Sequence, residues 1–344
     1  MADTPVLLVH TGGTLGMRRG PQGYVPEAGH LTSMLEAMPE LAHPDVPDFR
    51  LIEPGPLLDS SDARPRDWQT IADTLVAHQG EAAGFVVLHG TDTMAYSASA
   101  VAFLLQGLAR PVVFTGAQVP LAEPRSDARE NLVTSLMLAA RDDLPEVTVF
   151  FGGRLLRAVR TTKTSAFGFD AFESPNAPEL GRAGVTIDVN AARVRPAGTP
   201  PLRAARLHGV HVLALRLFPG IGADTLRNVL RAPVEGMVLE SYGAGNGPRD
   251  EALLGVLADA SARGVVIVNV SQCLRGGVRM RQYATGTALA EAGVVSGGDM
   301  TPEAALTKLM LLLSEGHAPS ETRRRIGTDL RGEIGIRPGA EDGP

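Results

Sequence analysis

Short, uninterrupted apolar runs, each leading into small or polar residues and then into a longer amphipathic stretch, are what most restrict the fold of this chain. Val6–Val9, Phe85–Leu88, Val112–Phe114 and Val147–Phe151 are such runs. They are too short for helices and lack the polar alternation of a half-exposed strand, so they read as strands buried on both faces. Between them, Thr93 to Leu108 sets Met94, Ala98, Val101, Ala102, Leu105 and Leu108 at helical spacing, and Asp127 to Ala140 does the same with Leu132, Leu136 and Ala139. Strands alternating with helices predict an α/β fold whose mostly parallel sheet is covered on both faces.

Residues 178–201 carry many Gly, Pro and Ala with little periodicity and read as a passage between domains. The rhythm then resumes. Strands are expected at Val210–Leu217, Met237–Leu239 and Val265–Val270, and helices at Ala223–Arg231, Asp250–Arg263 and Pro302–Ser314. With a boundary near residue 200, this gives a larger N-terminal domain over 1–195 and a smaller C-terminal α/β domain over 210–344. A length of 344 residues with 44% hydrophobic content supplies core enough for both. The biased tail 339–344 is expected to fray.

Bulk properties narrow the function. A net charge of −6 and 4% aromatic residues give neither a basic field for phosphate backbones nor stacking platforms for bases, so no nucleic-acid partner is expected. Gly, Pro or charge interrupts every apolar stretch before the roughly 20 residues a bilayer requires, so no membrane partner is expected either. The single cysteine, Cys273, and a start lacking the pattern of a secretory leader point to the reducing cytoplasm.

In open parallel sheets ligands bind beyond the carboxyl ends of the strands, so polar residues directly after the apolar runs are the place to look for chemistry. Thr11-Gly12-Gly13-Thr14-Leu15-Gly16 follows the first run and combines hydroxyls with glycines that let a ligand approach the backbone. Taken alone, such a segment is more often an ordinary turn. Arg18 to Gly29 shows no helix or strand period and carries Tyr24, which suits a lid that excludes water and brings in a phenol. His89-Gly90-Thr91-Asp92-Thr93 lies between a strand and a helix, where Thr91 or Asp92 could equally cap the helix. Thr161-Thr162-Lys163-Thr164 sets a lysine among hydroxyls just past an expected strand at Leu155–Val159. Together these segments supply a hydroxyl nucleophile, a second hydroxyl, a carboxylate and an amine, the parts of a proton relay for acyl transfer.

These residues resemble the bacterial-type L-asparaginase and glutaminase family, and within it the cytoplasmic type I branch. The family's two signature regions are similar to Thr11-Gly12-Gly13-Thr14 and Leu88-His89-Gly90-Thr91-Asp92-Thr93-Met94. Further similar segments are Leu58-Asp59-Ser60-Ser61, Thr115-Gly116-Ala117-Gln118-Val119-Pro120, Thr162-Lys163-Thr164-Ser165-Ala166-Phe167 and Ser241-Tyr242-Gly243-Ala244-Gly245-Asn246-Gly247-Pro248. The resemblance implies hydrolysis of L-asparagine to L-aspartate and ammonia through an acyl-threonine intermediate. Thr14 would be the nucleophile, assisted by Tyr24, with Thr91, Asp92 and Lys163 as the second catalytic group. Asp59 and Ser60 would hold the substrate's amino and carboxylate groups, with Thr91 and Asp92 also meeting the substrate. Asn246 would complete the site of a neighbouring subunit, which implies a homo-oligomer, a dimer or a tetramer.

The resemblance also matches Gln118, Thr162 and Cys273 to a regulatory asparagine site of some type I members. Here Glu240 replaces the arginine of that pattern, and a carboxylate cannot pair with a ligand carboxylate. A glutaminase or a mixed asparaginase–glutaminase is the alternative within enzymes, because one methylene changes selectivity by only about 1–3 kcal/mol. No cofactor is expected, since Gly243-Ala244-Gly245-Asn246-Gly247 sets its third glycine too early for a dinucleotide fingerprint. No metal is expected, since His208 and His211 lack an evident third ligand.

Overall fold

The computed structural model of the chain describes residues 4–20, 23–26, 29–199 and 201–335. The tail at 339–344 lies outside them. The chain divides into two compact units, one of Met1–Ser174 with Pro178–Ala205, the other of Pro175–Ala177 with Arg206–Pro344.

The first unit is built on an eight-stranded sheet in the order Ile187–Val189, Gly181–Ala183, Arg154–Arg157, Val147–Phe151, Val112–Thr115, Phe85–Leu88, Val6–His10, Phe49–Ile52. The five strands from Val147–Phe151 to Phe49–Ile52 pair in parallel, and those at the other edge antiparallel. All five residues of Val6–His10 are buried, as the unbroken apolar pattern requires. Alternate side chains serve opposite faces. Val6, Leu8, Val86, Leu88 and Val113 share one core with Leu31, Leu132 and Leu136 of helices His30–Glu36 and Ala128–Ala139. On the sheet's other side the helix Met94–Leu104 packs against Val147–Phe151 and Val112–Thr115, and Pro65–Ala77 packs against that helix. The lone tryptophan, Trp68, is buried in this layer and donates to Ser97 Oγ at 2.9 Å.

Register fixes where the strands end. His10 pairs with Leu88, and Leu88 with Thr115, so the segments starting at residues 11, 89 and 116 leave the sheet side by side from one edge.

The second unit carries a four-stranded parallel sheet, Val212–Arg216, Gly236–Ser241, Val266–Ser271 and Val295–Ser296. Met237, Leu239 and Ile267 pack against Leu226, Leu253, Leu257 and Leu289 on one face. Val238, Val266 and Val268 pack against Leu309, Leu312 and Ile326 on the other. Each unit is thus an α/β layer structure, the first larger than the second.

Four local expectations change. The helix expected to Leu108 stops at Leu104, and Leu105–Gln106 pairs instead with Arg203–Ala204. Gly107 turns away with φ 77° where a methyl would lie 2.5 Å from Thr199 O. The strand expected at Leu155–Val159 is Arg154–Arg157, reversed from Val147–Phe151 through the positive-φ pair Gly152 and Gly153, and Ala158–Arg160 forms a 3-10 turn. The passage 178–201 holds the edge strands Gly181–Ala183 and Ile187–Val189, short pieces that gain their backbone partners from the sheet. The stretch 18–29, read as free of strand period, contributes to the antiparallel hairpin Met17–Gly20 with Gly23–Pro26.

Candidate active site

Glycines bring three loops into backbone contact at the strand ends. Thr11 N and Oγ1 both donate to Leu88 O, at 3.1 and 2.7 Å. Leu58 N donates to Thr11 O at 2.9 Å and Gly13 N to Leu58 O at 3.1 Å, so the loop before Asp59 runs alongside as a parallel bridge. Gly13, with φ 91°, lies where a methyl would sit 2.3 Å from Gly90 N, and a methyl on Gly90 would sit 2.4 Å from Ser60 Oγ. Only glycine permits this closeness. The residue preceding Thr14 therefore touches the residue preceding Thr91, and Ser60 abuts the second of these loops while Leu58 bonds the first. Thr14 itself opens the single 3-10 turn Thr14–Gly16 and is half-buried.

Thr91 is buried at 6% exposure, and its hydroxyl makes two hydrogen bonds. Lys163 Nζ donates to Thr91 Oγ1 at 2.8 Å and to Asp92 Oδ1 at 2.8 Å. Thr91 Oγ1 donates to Gln118 Oε1 at 3.2 Å. Lys163 stands on the short ribbon Thr162–Lys163 with Phe172–Glu173, its side chain 17% exposed, whereas Asp92 is 69% exposed. The structure thus joins Thr91, Asp92 and Lys163 in one hydrogen-bonded triad.

Ser60 is buried, and its carbonyl accepts from Thr93 Oγ1 at 2.8 Å. Asp59 is exposed and its Oδ1 accepts from Ser61 N and Ser61 Oγ, both at 2.9 Å, capping the turn Ser60–Asp62. A cavity of about 290 Å3 shares this wall, lined by Thr11, Leu58, Ser60, Ile71, His89 and Gly90. Thr14, Thr91, Asp92 and Lys163 do not line it.

Two buried imidazoles underlie the loops. His89 Nδ1 lies 2.8 Å from Gly90 O, and burial pushes its pKa below the usual 6.5. His10 is lowered by the same cause, opposed by Glu53 at 3.2 Å.

The remaining positions divide clearly. Tyr24 falls in the Gly23–Pro26 strand, and its side chain lies outside the described residues. Asn246 belongs to the second unit, in a turn where its N and O both bond Tyr242 and its Oδ1 accepts from Thr285 Oγ1 at 2.6 Å. Cys273 is exposed in that unit. Glu240 faces Arg216 at 3.5 Å. Among the described residues no cluster of acidic, His or Cys side chains is arranged to hold a metal ion, and no helix is long and apolar enough to cross a membrane.

Two contributors to the site went unassigned in the sequence reading. Thr93 fixes the Ser60 backbone, and Asp127 accepts from Gln118 N at 3.0 Å and Val119 N at 3.1 Å. The signal for the second was the run Val112–Phe114, whose following loop shares the edge with the other two.

The asparaginase N-terminal family model matches residues 5–195, and that of the glutaminase/asparaginase C-terminal domain matches residues 211–326. The chain is 49% identical to L-asparaginase 1 of Escherichia coli, over 97% of this chain and 99% of that one. It superposes on the crystal structure of L-asparaginase I from Vibrio cholerae with a TM-score of 0.90 at 43% identity, covering 97% of this chain and 100% of the other. The thermostable L-asparaginase of Thermococcus kodakarensis gives a TM-score of 0.86 at 35% identity, with 96% and 99% covered.

Proposed function

Because the chain belongs to the asparaginase family across both of its parts, we propose that Thr14 is the nucleophile with which it converts L-asparagine to L-aspartate and ammonia. The reading is carried by one arrangement: Lys163 Nζ stands 2.8 Å from both Thr91 Oγ1 and Asp92 Oδ1, and those two residues follow Gly90, which is in contact with Gly13.

A threonine hydroxyl is a weak nucleophile at neutral pH and must shed its proton as it attacks. Thr14 Oγ bonds to the amide carbon while the carbonyl electron pair moves to oxygen, and the Thr14 proton passes through Thr91 to Lys163. Lys163 Nζ takes it up and holds it against Asp92. The proton then goes to the amide nitrogen as the C–N bond breaks and ammonia leaves. Water adds to the ester carbon, its proton takes the same route, and aspartate departs with the Thr14 hydroxyl restored. Backbone N–H groups near Thr91 are the donors for the developing oxyanion, each worth about 3 kcal/mol in comparable sites.

Asp59 and Ser60 take the substrate's amino and carboxylate groups, Thr91 and Asp92 contribute to the same recognition, and Tyr24 assists Thr14. Asn246 serves the site of a neighbouring copy in a dimer or tetramer, and the enzyme works in the cytoplasm. Light scattering tests the assembly. Ammonia release measured on asparagine and glutamine in parallel tests the substrate: kcat/KM at least about tenfold higher on asparagine is expected, within the selectivity that small pockets give. Equal values would make the enzyme a mixed asparaginase–glutaminase.

A further inference from the structure

We infer that Gln118 is a positioning residue that fixes the direction of the Thr91 hydroxyl proton. The inference rests on the proposed role of Thr91 and Lys163.

The donors and acceptors around Gln118 leave one arrangement. Its Nε2 lies 3.0 Å from Gly168 O and 3.3 Å from Ala166 O. Carbonyls only accept, so this end of the amide is the nitrogen and the oxygen end faces Thr91. An amide oxygen only accepts, so Thr91 must donate its single proton to it, at 3.2 Å. Lys163, donating at 2.8 Å, occupies one lone pair of the same hydroxyl. One lone pair of Thr91 is left, in a site with 6% exposure where water is a poor substitute.

The amide is held in turn from behind. Asp127 accepts from Gln118 N at 3.0 Å and from Val119 N at 3.1 Å. Asn131 Nδ2 bonds Asp127 Oδ2 at 3.2 Å and Gly116 O at 3.0 Å. The loop that carries Gln118 is therefore fixed against the helix Ala128–Ala139.

The consequence is chemical. With its proton on Gln118, Thr91 presents an acceptor lone pair to the proton leaving the nucleophile, and transfer to Lys163 proceeds as the hydroxyl swings from Gln118 and the amine turns its lone pair toward it. Without the amide oxygen the hydroxyl proton has no fixed partner, and the receiving lone pair is misdirected. Substrate binding does not need this direction, so the effect falls on kcat.

The test separates the acceptor end of Gln118 from its loop-holding donor end. Gln118→Met removes both, and kcat should fall at least about tenfold, within the range of a misplaced proton-transfer group, with KM within about threefold. Gln118→Glu keeps the acceptor and loses the donors. It should recover most of that kcat, with the acidic limb of its pH profile displaced upward because an added negative charge opposes loss of the relay's proton. Wild-type kcat in Gln118→Met, or equally low kcat and an undisplaced profile in Gln118→Glu, overturns the inference. Thr91→Ala and Lys163→Met run alongside: if both are inactive while Gln118→Met is normal, only this inference falls, and if both are active the catalytic assignment falls as well. Should Gln118→Met not fold, the profile of Gln118→Glu decides alone.

Discussion

Lys163 and Lys308 each donate to a carboxylate, Asp92 at 2.8 Å and Glu333 at 2.5 Å, in surroundings of opposite character. Lys308 and Glu333 are both at 0% exposure, and the ammonium's three donors meet Glu333 Oε1, Ile326 O and Thr328 O. Glu333 also accepts from the backbone N–H of Leu330 and Arg331. That lysine ties the helices Pro302–Ser314 and Pro319–Ile326 to the segment after them, inside the second unit. Burial pushes its pKa down and Glu333 opposes the shift. Lys163 spends its donors on an exposed carboxylate and on a hydroxyl. A saturated lysine holds structure, whereas one bonded to a hydroxyl at a strand-end loop fits the proton exchange proposed for Lys163.

Exchanging the two lysines' fates in experiment is the sharpest use of that difference. The largest effect belongs to the first unit: Thr14→Ala should abolish ammonia release, and Lys163→Met should lower kcat by about 10²–10⁴ with the melting temperature little changed. Next, Lys308→Met strands a buried carboxylate and should cost about 3–5 kcal/mol in denaturant unfolding, with kcat per folded molecule unchanged. The double variant Lys308→Met with Glu333→Leu should recover most of that loss, since replacing a whole buried pair is often close to neutral. If Lys308→Met instead lost activity at full stability, the division of labour would be wrong.

A smaller effect follows from the buried imidazoles. Both His10 and His89 have folded pKa values below the unfolded 6.5. Above pH 6.5 neither state binds the protons and the full stability is present. As pH falls through 6.5 the unfolded chain is protonated first, so stability is lost progressively down to the lowered folded values. Trp68, the single tryptophan, reports unfolding of the first unit, and its denaturation midpoint should drop between pH 7 and 5. A midpoint that holds or rises would contradict the burial of those rings. The smallest expected stability change is for Asp92→Asn, under about 1 kcal/mol because that carboxylate is 69% exposed, alongside a marked fall in kcat.

What the sequence disclosed follows from the same contrast. The strands buried on both faces carry unbroken apolar runs, so their ends, and hence the loops at 11–14 and 89–93, are legible in the sequence, whereas the loop at 116–120 is marked there only by the family resemblance. Lys163 could be singled out because hydroxyls surround it in the chain. The edge strands at 181–183 and 187–189 could not, because their backbone partners lie in the sheet and their side chains need no apolar pattern. The Lys308–Glu333 pair was equally silent, since a lysine in a helix and a glutamate near a tail look solvated until burial is known. The direction of Gln118's amide depends on carbonyls at residues 166 and 168, which only the folded loops bring to it.

The central claim is that two threonine loops meet and that the first supplies the atom that is acylated. Rapid quench of the enzyme during turnover of asparagine, followed by peptide mass spectrometry, tests it most directly. An aspartyl ester on the peptide containing Thr14, absent from Thr14→Ala, is predicted; an ester on the peptide containing Thr91 would contradict it.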